Sequence, residues 1–171
     1  MDKEIQLSAA EAANKVKEMA EKIKICLFFT GQKNPKEEEG KPMVVAKADE
    51  TGNIFFLADK NSEKVKIIGE DNRVHLVFCH PGKEMFLNIY GEAYITTERD
   101  RIDELWNSEA KPWFKEGKND PSICAIRVRT DTGYYWDKQY RQMIEIIKLF
   151  QSVPVGEKPK ETASEKIILN N

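Results

Sequence analysis

The sequence predicts a mainly β protein with helices, of the α+β class, in which an antiparallel sheet closes into a small barrel. Extended apolar segments alternate with short turns across residues 41–97, which is typical of antiparallel strands. Gly91 interrupts the last of these segments, and a glycine inside a strand marks a bulge or bend where a sheet curls. Helical patterns at 8–24 and 139–150 predict an N-terminal and a C-terminal helix.

The first 40 residues predict a helix, a strand and a polar loop. Ser8 and Glu11 form a capping box, and apolar residues recur at helical spacing as far as Ile23. A helix is therefore expected over 8–24, with its apolar stripe on the core. Residues 25–30 are strongly apolar and predict a strand, whereas 31–40 form a polar loop with a solvated acidic run.

Residues 41–97 predict four strands and one short helix. Pro42 suits the start of a strand at 41–48, because proline cannot donate to the ladder. Asn61 or Ser62 can cap a helix that ends near Gly69. β-branched and aromatic residues predict the other strands, which are 54–58, 73–79 and 85–97.

The remainder of the chain mixes helices and strands. Asp131-Thr132-Gly133 is rich in turn residues, so it is expected to turn a strand at 123–129 into another at 134–136. The other expected elements are a helix at 98–107, a loop with a helical turn at 110–122, a helix at 139–150, an exposed linker at 154–164 and a short strand at 167–169.

Length and charge restrict the class of protein. The 171 residues suit a single domain over 1–171, with about 155–171 as an extended C-terminal tail. A formal net charge of -2 argues against a nucleic-acid binder, which would carry a basic surface. No stretch approaches the ~20 apolar residues of a membrane span, and the N-terminus lacks a signal-peptide pattern. We therefore expect a cytoplasmic protein that binds neither nucleic acid nor membrane.

The cysteines and histidines do not predict a metal site or a cysteine nucleophile. Cys26, Cys79 and Cys124 each lie in an apolar strand segment and form no Cys-x-x-Cys pair, so all three are expected to be buried. The only histidines are His75 and His80, and adjacent residues such as Cys79 and His80 point to opposite faces of a strand.

The start of the helix after Ser62 is a candidate phosphate site. A helix N-terminus offers free N–H donors and a partial positive charge, both of which favour anions. Ser62 adds a hydroxyl, and Lys64 places a cation in the first turn, where only a bound anion makes it favourable. Lys41 supplies a second cation if the two chain segments meet. The alternative is that Lys64 is an ordinary solvated lysine.

Trp106, Trp113 and Phe114 form an aromatic group that is costly to expose. Such a group either fills a core or covers a flat apolar ligand. The local pattern leaves both interpretations open.

Several motifs share their residue types with one family. The most specific is the Trp-Phe…Gly…Asp-Pro pattern of residues 113–121; the others are Lys41-Pro42-Met43, Ile54-Phe55-Phe56-Leu57, Ser62-Glu63-Lys64-Val65, Arg73-Val74-His75-Leu76, Tyr90-Gly91-Glu92-Ala93 and Tyr135-Trp136-Asp137. In these motifs the sequence resembles the general stress protein 26 family. That family is a branch of the pyridoxamine 5′-phosphate oxidase-like flavoproteins, which have a split β-barrel.

The resemblance implies an FMN-binding flavoprotein with a redox function, assembled as a homodimer with the cofactor sites at the subunit interface. No catalytic residue and no metal ligand are assigned, and the substrate is a small redox molecule that the resemblance does not specify. The cofactor-binding residues that it implies are Lys41, Met43, Val44, Leu57, Ser62, Lys64 and Trp113.

Three positions depart from the family pattern. Lys41 stands where the family usually has arginine, which keeps the charge but loses the bidentate fork. Ala58 replaces a frequent threonine, and no glutamine stands near Phe86. The alternative function is therefore the same fold with another ligand, such as a deazaflavin or haem, or a stress protein that binds no cofactor. A small barrel that binds nucleic acid or a partner is the third interpretation, which the acidic balance disfavours.

Overall fold

The computed structural model describes residues 5–31, 40–146, 166–167 and 169–170. The predicted polar loop at 31–40 and the predicted linker at 154–164 lie wholly or mainly outside these residues. The strands are β1 Ile5–Gln6, β2 Ile25–Phe29, β3 Gly40–Val44, β4 Lys47–Ala48, β5 Asn53–Asp59, β6 Arg73–His80, β7 Met85–Thr96, β8 Ile123–Asp137, β9 Gln142–Ile146, β10 Lys166–Ile167 and β11 Leu169–Asn170. The helices are α1 Ala9–Ile23, α2 Glu63–Glu70 and α3 Arg99–Leu105, with short 3₁₀ segments at Pro81–Lys83, Ser108–Trp113 and Gly117–Asn119.

A curled antiparallel sheet dominates the fold, as the sequence predicted. Its strands follow the order β11-β9-β8-β7-β6-β2-β3, and β1 pairs separately with β10. β5 leaves this path because it pairs with β8 and carries β4 on its other side. The sheet therefore forms a half-barrel whose edges are β3 on one side and β4–β5 on the other.

β8 organises the curl, because it is long enough to serve two different neighbours. Its first half pairs with β5, from Asp59↔Ile123 to Asn53↔Arg129. Its second half pairs with β9, while β7 runs along its other edge. The β7–β8 register shifts between Tyr90 and Gly91, which confirms the predicted irregularity at Gly91.

Two layers of apolar residues hold the half-barrel together. The larger core lies between α1 and the concave face of the sheet and includes the fully buried Val16, Phe28, Phe56 and Ile126. The smaller core lies on the opposite side of β5 and β8, where α3 and Phe114 cover Phe55. Burial of this kind contributes about 1.5–3 kcal/mol for each large side chain.

The N-terminal helix forms as predicted. The Ser8 hydroxyl accepts from the Glu11 N–H at 3.1 Å, and the Glu11 carboxylate accepts from the Ser8 N–H at 2.8 Å. This reciprocal pair satisfies two helix donors that would otherwise lack partners. α1 then ends at Lys24, which has a left-handed φ of 66°.

The predicted turn at Asp131-Thr132-Gly133 is wrong, because β8 runs straight through it. Gly133 is needed for close strand contact instead. A Cβ on Gly133 would lie 2.1 Å from the Asn88 carbonyl oxygen of β7, and a Cβ on Gly91 would lie 2.1 Å from the Arg129 carbonyl oxygen of β8. Two glycines thus let the backbones of β7 and β8 approach closely on either side of the register shift.

The predicted C-terminal helix at 139–150 is also wrong, because residues 142–146 form β9. Ile144 and Ile146 are buried and alternate with half-buried neighbours, which is the period-two pattern of a strand. The helical spacing of this segment depended on Ile147 and Phe150, which lie outside the described residues.

Smaller differences concern one strand, one cysteine and the chain end. The strand expected at 41–48 divides into β3 and β4. Cys79 is exposed rather than buried, whereas Cys26 and Cys124 are buried as expected. The short terminal strand expected at 167–169 is present as β10 and β11, apart from residue 168, which is not described. No helix in the described ranges has the length and apolar character that a bilayer span requires.

Candidate functional site

A cleft of about 390 Å³ opens at one end of the half-barrel, between the β3 edge and the β5 edge. This volume falls within the roughly 300–1,000 Å³ of small-molecule sites. The walls come from β3 and the residues after it, the end of β5, the start of α2 and the segment 107–114. The described residues that line the cleft are Lys41, Pro42, Met43, Val44, Val45, Ala46, Leu57, Ala58, Asp59, Ser62, Glu63, Lys64, Asn107, Glu109, Ala110, Trp113 and Phe114.

The N-terminus of α2 forms the polar end of the cleft. Ser62 is the N-cap, with extended φ and ψ of -69° and 153°, and its hydroxyl accepts from the Val65 N–H at 3.4 Å. Asp59 orients the approach to this cap by accepting from the Asn61 N–H at 2.8 Å. The first turn of α2 therefore directs its remaining N–H donors and its positive dipole end toward the cleft.

Lys41 and Lys64 reach the same region from different elements. Lys64 is half-buried in the first turn of α2, and its Nζ lies 5.3 Å from the centre of the Phe28 ring. Lys41 lies directly opposite Phe28 in the β2–β3 register, so the Lys41 and Phe28 side chains project from the same face of the sheet. Two cations thus accompany one helix N-terminus at the same end of the cleft.

Apolar side chains and one indole form the other end of the cleft. Met43, Val44 and Leu57 line its sheet wall, and Trp113 lines the opposite wall although 76% of its surface is exposed. A tryptophan left this exposed beside a cleft is available to stack on a flat ligand.

The two interpretations that the sequence left open, core packing and ligand covering, therefore apply to different residues of the aromatic group. Phe114 is buried in the smaller core, with its ring centre 6.2 Å from that of Trp106. Trp113 alone among the three lies on the cleft without being buried.

The segment that carries Trp113 is held by polar contacts at both ends. The Glu109 carboxylate pairs with the Lys24 Nζ at 3.4 Å, next to the end of α1. The Arg99 guanidinium donates to the carbonyl oxygens of Lys118 and Asp120. Hydrogen bonds from the Ser122 N–H and hydroxyl lower the pKa of Asp120 below its usual value. These contacts fix the wall opposite the sheet.

All seven residues proposed from the sequence line this one cleft, although they come from four separate parts of the chain. Sequence reasoning did not include Asn107, Glu109, Asp59 or Glu63. The sequence spacing of Asn107 and Glu109 did not indicate the cleft, because the segment 107–114 reaches it only through packing of α3 on β5 and β8.

None of the described residues that line the cleft is a cysteine or a histidine. Burial raises the pKa of the neighbouring Cys26 thiol to about 12, although Lys64 opposes this shift, so the thiol stays protonated at neutral pH. No group of three potential metal ligands occurs in the described ranges. The arrangement is suited to binding an anion at one end and a flat apolar group at the other.

A curled antiparallel sheet, with a cleft between its two edges and a helix N-terminus at one end, defines a split-barrel protein. The family model described as "Pyridoxamine 5'-phosphate oxidase like" matches residues 11–160. The chain therefore belongs to this family.

Solved structures share the fold at low sequence identity. A protein from Clostridium acetobutylicum related to general stress protein 26 superposes with a TM-score of 0.66 at 20% identity, covering 81% of this chain and 95% of its own. The general stress FMN/FAD binding protein of Xanthomonas citri superposes with a TM-score of 0.61 at 20% identity, covering 88% of this chain and 97% of its own.

Two curated relatives match shorter segments. Protein bli-3 of Neurospora crassa is 29% identical over 98 residues, which are 52% of this chain and 47% of that protein. General stress protein 26 of Bacillus subtilis is 24% identical over 81 residues, which are 46% of this chain and 57% of that protein. The chain thus spans about half the length of the curated relatives it matches.

Proposed function

We propose that this protein is a flavoprotein that binds FMN in the cleft and acts as an oxidoreductase on a small molecule. The observation that carries the proposal is the two-ended cleft: cations and a helix N-terminus stand at one end, and an apolar wall with an exposed indole stands at the other. FMN has the same two-ended chemistry, since a phosphate is joined to a flat ring. The name of the Xanthomonas citri protein with the same fold, which includes FMN/FAD binding, agrees with this assignment.

The phosphate end fits a dianion. Lys64 in the first turn of α2 is disfavoured by the helix dipole, and an anion bound between the N–H donors and the ammonium group reverses that cost. The Ser62 hydroxyl adds a possible donor, while Lys41 adds a second charge from β3. Ala58, which also lines the cleft, contributes no hydroxyl, so this chain depends on the α2 end and the two lysines.

The ring end fits a flat, largely apolar group. Met43, Val44 and Leu57 contribute apolar lining from the strands, and the exposed Trp113 indole contributes an aromatic surface from the segment 107–114. FMN, when bound, supplies hydride and single-electron transfer, while the protein binds and orients it.

Titration with FMN tests the proposal, with quenching of the flavin fluorescence as the signal. Lys64→Ala should weaken FMN binding about 10- to 100-fold, because a charged hydrogen bond contributes about 1.5–3 kcal/mol. Ser62→Ala should weaken it a few-fold. Lys66→Ala is the matched control, since Lys66 is an exposed lysine of the same helix outside the cleft lining.

Riboflavin separates the two ends of the site, because it has the ring but lacks the phosphate. Its affinity should be the same in the wild type and in Lys64→Ala. A wild-type protein that binds neither flavin would refute the proposal, and equal FMN affinities for Lys64→Ala and Lys66→Ala would refute the phosphate site.

We also propose that the protein assembles as a homodimer with its flavin sites at the subunit interface. The outer face of the sheet supports this proposal, because Ile25, Leu27 and Val44 are 55%, 42% and 37% exposed. Ile25 lies opposite Val44 in the β2–β3 register, and Val44 also lines the cleft. The exposed apolar face is thus continuous with the cleft. Light scattering that gives only the 19.7 kDa mass of one chain would contradict the proposal.

A further inference from the structure

The side chain of Asn107 is fixed in one orientation by the backbone next to it. Its Oδ1 accepts from the Glu109 N–H at 3.0 Å. Because a backbone N–H can only donate, the atom facing it must be the amide oxygen, and this identifies the other terminal atom of the side chain as the amide nitrogen, Nδ2. The Nδ2 hydrogens therefore point away from the Ser108–Trp113 segment that Asn107 caps.

The Asn107 amide NH₂ group belongs to a cleft residue and has no acceptor among the described residues. Asn107 is half-buried and lines the cleft together with Ala110 and Trp113. Within the described ranges, its Nδ2 donates to no protein group. A donor left in this state favours a ligand that brings an acceptor and disfavours one that covers it with carbon.

None of the three acidic side chains that line the cleft, Asp59, Glu63 and Glu109, accepts from this donor in the structure; Glu63 is exposed and accepts no hydrogen bond from Asn107. The Glu109 carboxylate pairs with Lys24 at 3.4 Å, and the Asp59 carboxylate accepts from the Asn61 N–H at 2.8 Å. Lys41, Lys64 and Ser62 carry the other donors of the cleft, and these belong to its phosphate end. Asn107 therefore supplies a neutral donor in the wall that also carries Trp113.

We infer that Asn107 is a specificity-determining residue that donates a hydrogen bond to the edge of the bound ring. This inference rests on the proposed flavin site and adds a chemical requirement to it: the ring must carry a carbonyl oxygen or an acceptor nitrogen on the edge that faces segment 107–114. Flavins and deazaflavins both have such an edge, in the carbonyl groups of their pyrimidine ring.

Two substitutions separate this role from the capping role of the same residue. Aspartate and serine both keep an oxygen that can cap the segment, and both remove the amide donor. Asn107→Asp also places a carboxylate against the ring carbonyls, so it should weaken flavin binding at least tenfold. Asn107→Ser should weaken binding about three- to tenfold. Asn119→Asp is the matched control, because it makes the same change at an exposed position of the neighbouring Gly117–Asn119 turn.

Riboflavin and FMN, titrated in parallel, identify which end of the ligand is affected. Substitutions at Asn107 should weaken both flavins by the same factor, whereas Lys64→Ala should weaken FMN alone. A thermal melt of each variant without flavin checks that the fold is retained, and Asn107→Asp and Asn107→Ser should melt within about 2 °C of the wild type.

The outcomes distinguish the inference from the proposed function. If the wild type binds flavin and both Asn107 variants bind it equally well, Asn107 is only a cap and the inference is overturned while the flavin site stands. If Asn107→Asp weakens FMN but not riboflavin, its charge acts on the phosphate and the inference is likewise overturned. A wild type that binds no flavin overturns both.

Discussion

Replacing Gly133 with alanine should destabilise the protein strongly, although alanine is the smallest side chain with a Cβ. The added Cβ would lie 2.1 Å from the Asn88 carbonyl oxygen, about 1.3 Å inside the 3.4 Å at which ordinary van der Waals contact begins. The obstacle is backbone rather than a flexible side chain, so the strands β7 and β8 must separate locally.

The size of the effect follows from what that separation removes. The β7–β8 ladder pairs Asn88 with Tyr134 and Ile89 with Gly133 at this point. Loss of one or two backbone hydrogen bonds costs about 1 kcal/mol each, and overpacking adds about 1–3 kcal/mol. We expect the free energy of unfolding to fall by about 2–5 kcal/mol, and the melting temperature by about 4–20 °C for a chain of this size.

Gly69→Ala is the matched control for this substitution. Gly69 lies in α2, and a Cβ there would meet nothing within 4 Å. Since alanine is the better helix former, this variant should be more stable by about 0.5–1 kcal/mol. Urea unfolding of both variants should be followed by circular dichroism at one fixed protomer concentration, because association would shift the apparent stability.

Equal stability of Gly133→Ala and the wild type would refute the account of the β7–β8 approach. A loss of stability shared by Gly69→Ala would point to a general cost of removing glycine instead. The critical result is therefore that Gly133→Ala lowers the free energy of unfolding whereas Gly69→Ala raises it.

Two further predictions concern the sheet face and the turn before β5. Leu27→Glu should convert the proposed dimer to a monomer in light scattering while the chain stays folded by circular dichroism. Thr97→Glu, at an exposed position outside that face, should leave the proposed dimer intact. A Leu27→Glu protein that is still a dimer would contradict the proposed interface. Burial alone would raise the pKa of Asp49, but hydrogen bonds from Asn53 and Thr51 outweigh it and lower this pKa below its usual value near 4. A carboxyl group whose pKa is lowered in the folded state stabilises the protein at a pH above its unfolded-state pKa, and this stabilisation is lost as the pH falls through the folded-state pKa. Asp49→Asn should therefore be less stable than the wild type by about 0.5–1 kcal/mol at pH 7, and it should lose less stability on acidification. Acid-unfolding curves of the two proteins that run parallel would contradict this prediction.

The sequence predicted the strands best where burial and periodicity agreed. β5 and β6 combine β-branched and aromatic residues with clear turn signals, so their existence followed from local chemistry. α1 was equally clear, because its capping box and apolar stripe are both local features. Local signals failed where a residue serves a distant part of the chain. Gly133 looks like a turn residue but is required by Asn88 of another strand, 45 positions away in the chain.

The candidate site likewise contains some residues that local sequence signals predicted and others that they did not. Ser62 and Lys64 lie two positions apart in the sequence, so a helix start with a serine cap and a cation was sufficient to propose an anion site. The family resemblance added the apolar wall and Trp113, which no spacing would have connected. Asn107 was missed because its role depends on two facts that only coordinates give: which way its amide is turned, and that segment 107–114 faces the cleft.

The cleft exists because the sheet does not close. β3 ends one edge of the half-barrel and β5, with β4, forms the other, so the chain must cross between them through residues 45–46. That crossing is pinned by two backbone hydrogen bonds, from the Val45 N–H to the Lys24 carbonyl at 2.7 Å and from the Ala46 N–H to the Phe55 carbonyl at 2.8 Å. The gap between the edges is then covered at one end by the start of α2 and on its side by segment 107–114. Gly133 lets β8 lie close to β7, and β8 also pairs with β5 at one edge of the gap, so a Cβ at Gly133 would disturb the strand that positions this edge. Gly133→Ala should therefore weaken flavin binding in the fraction of protein that stays folded, even though Gly133 does not line the cleft.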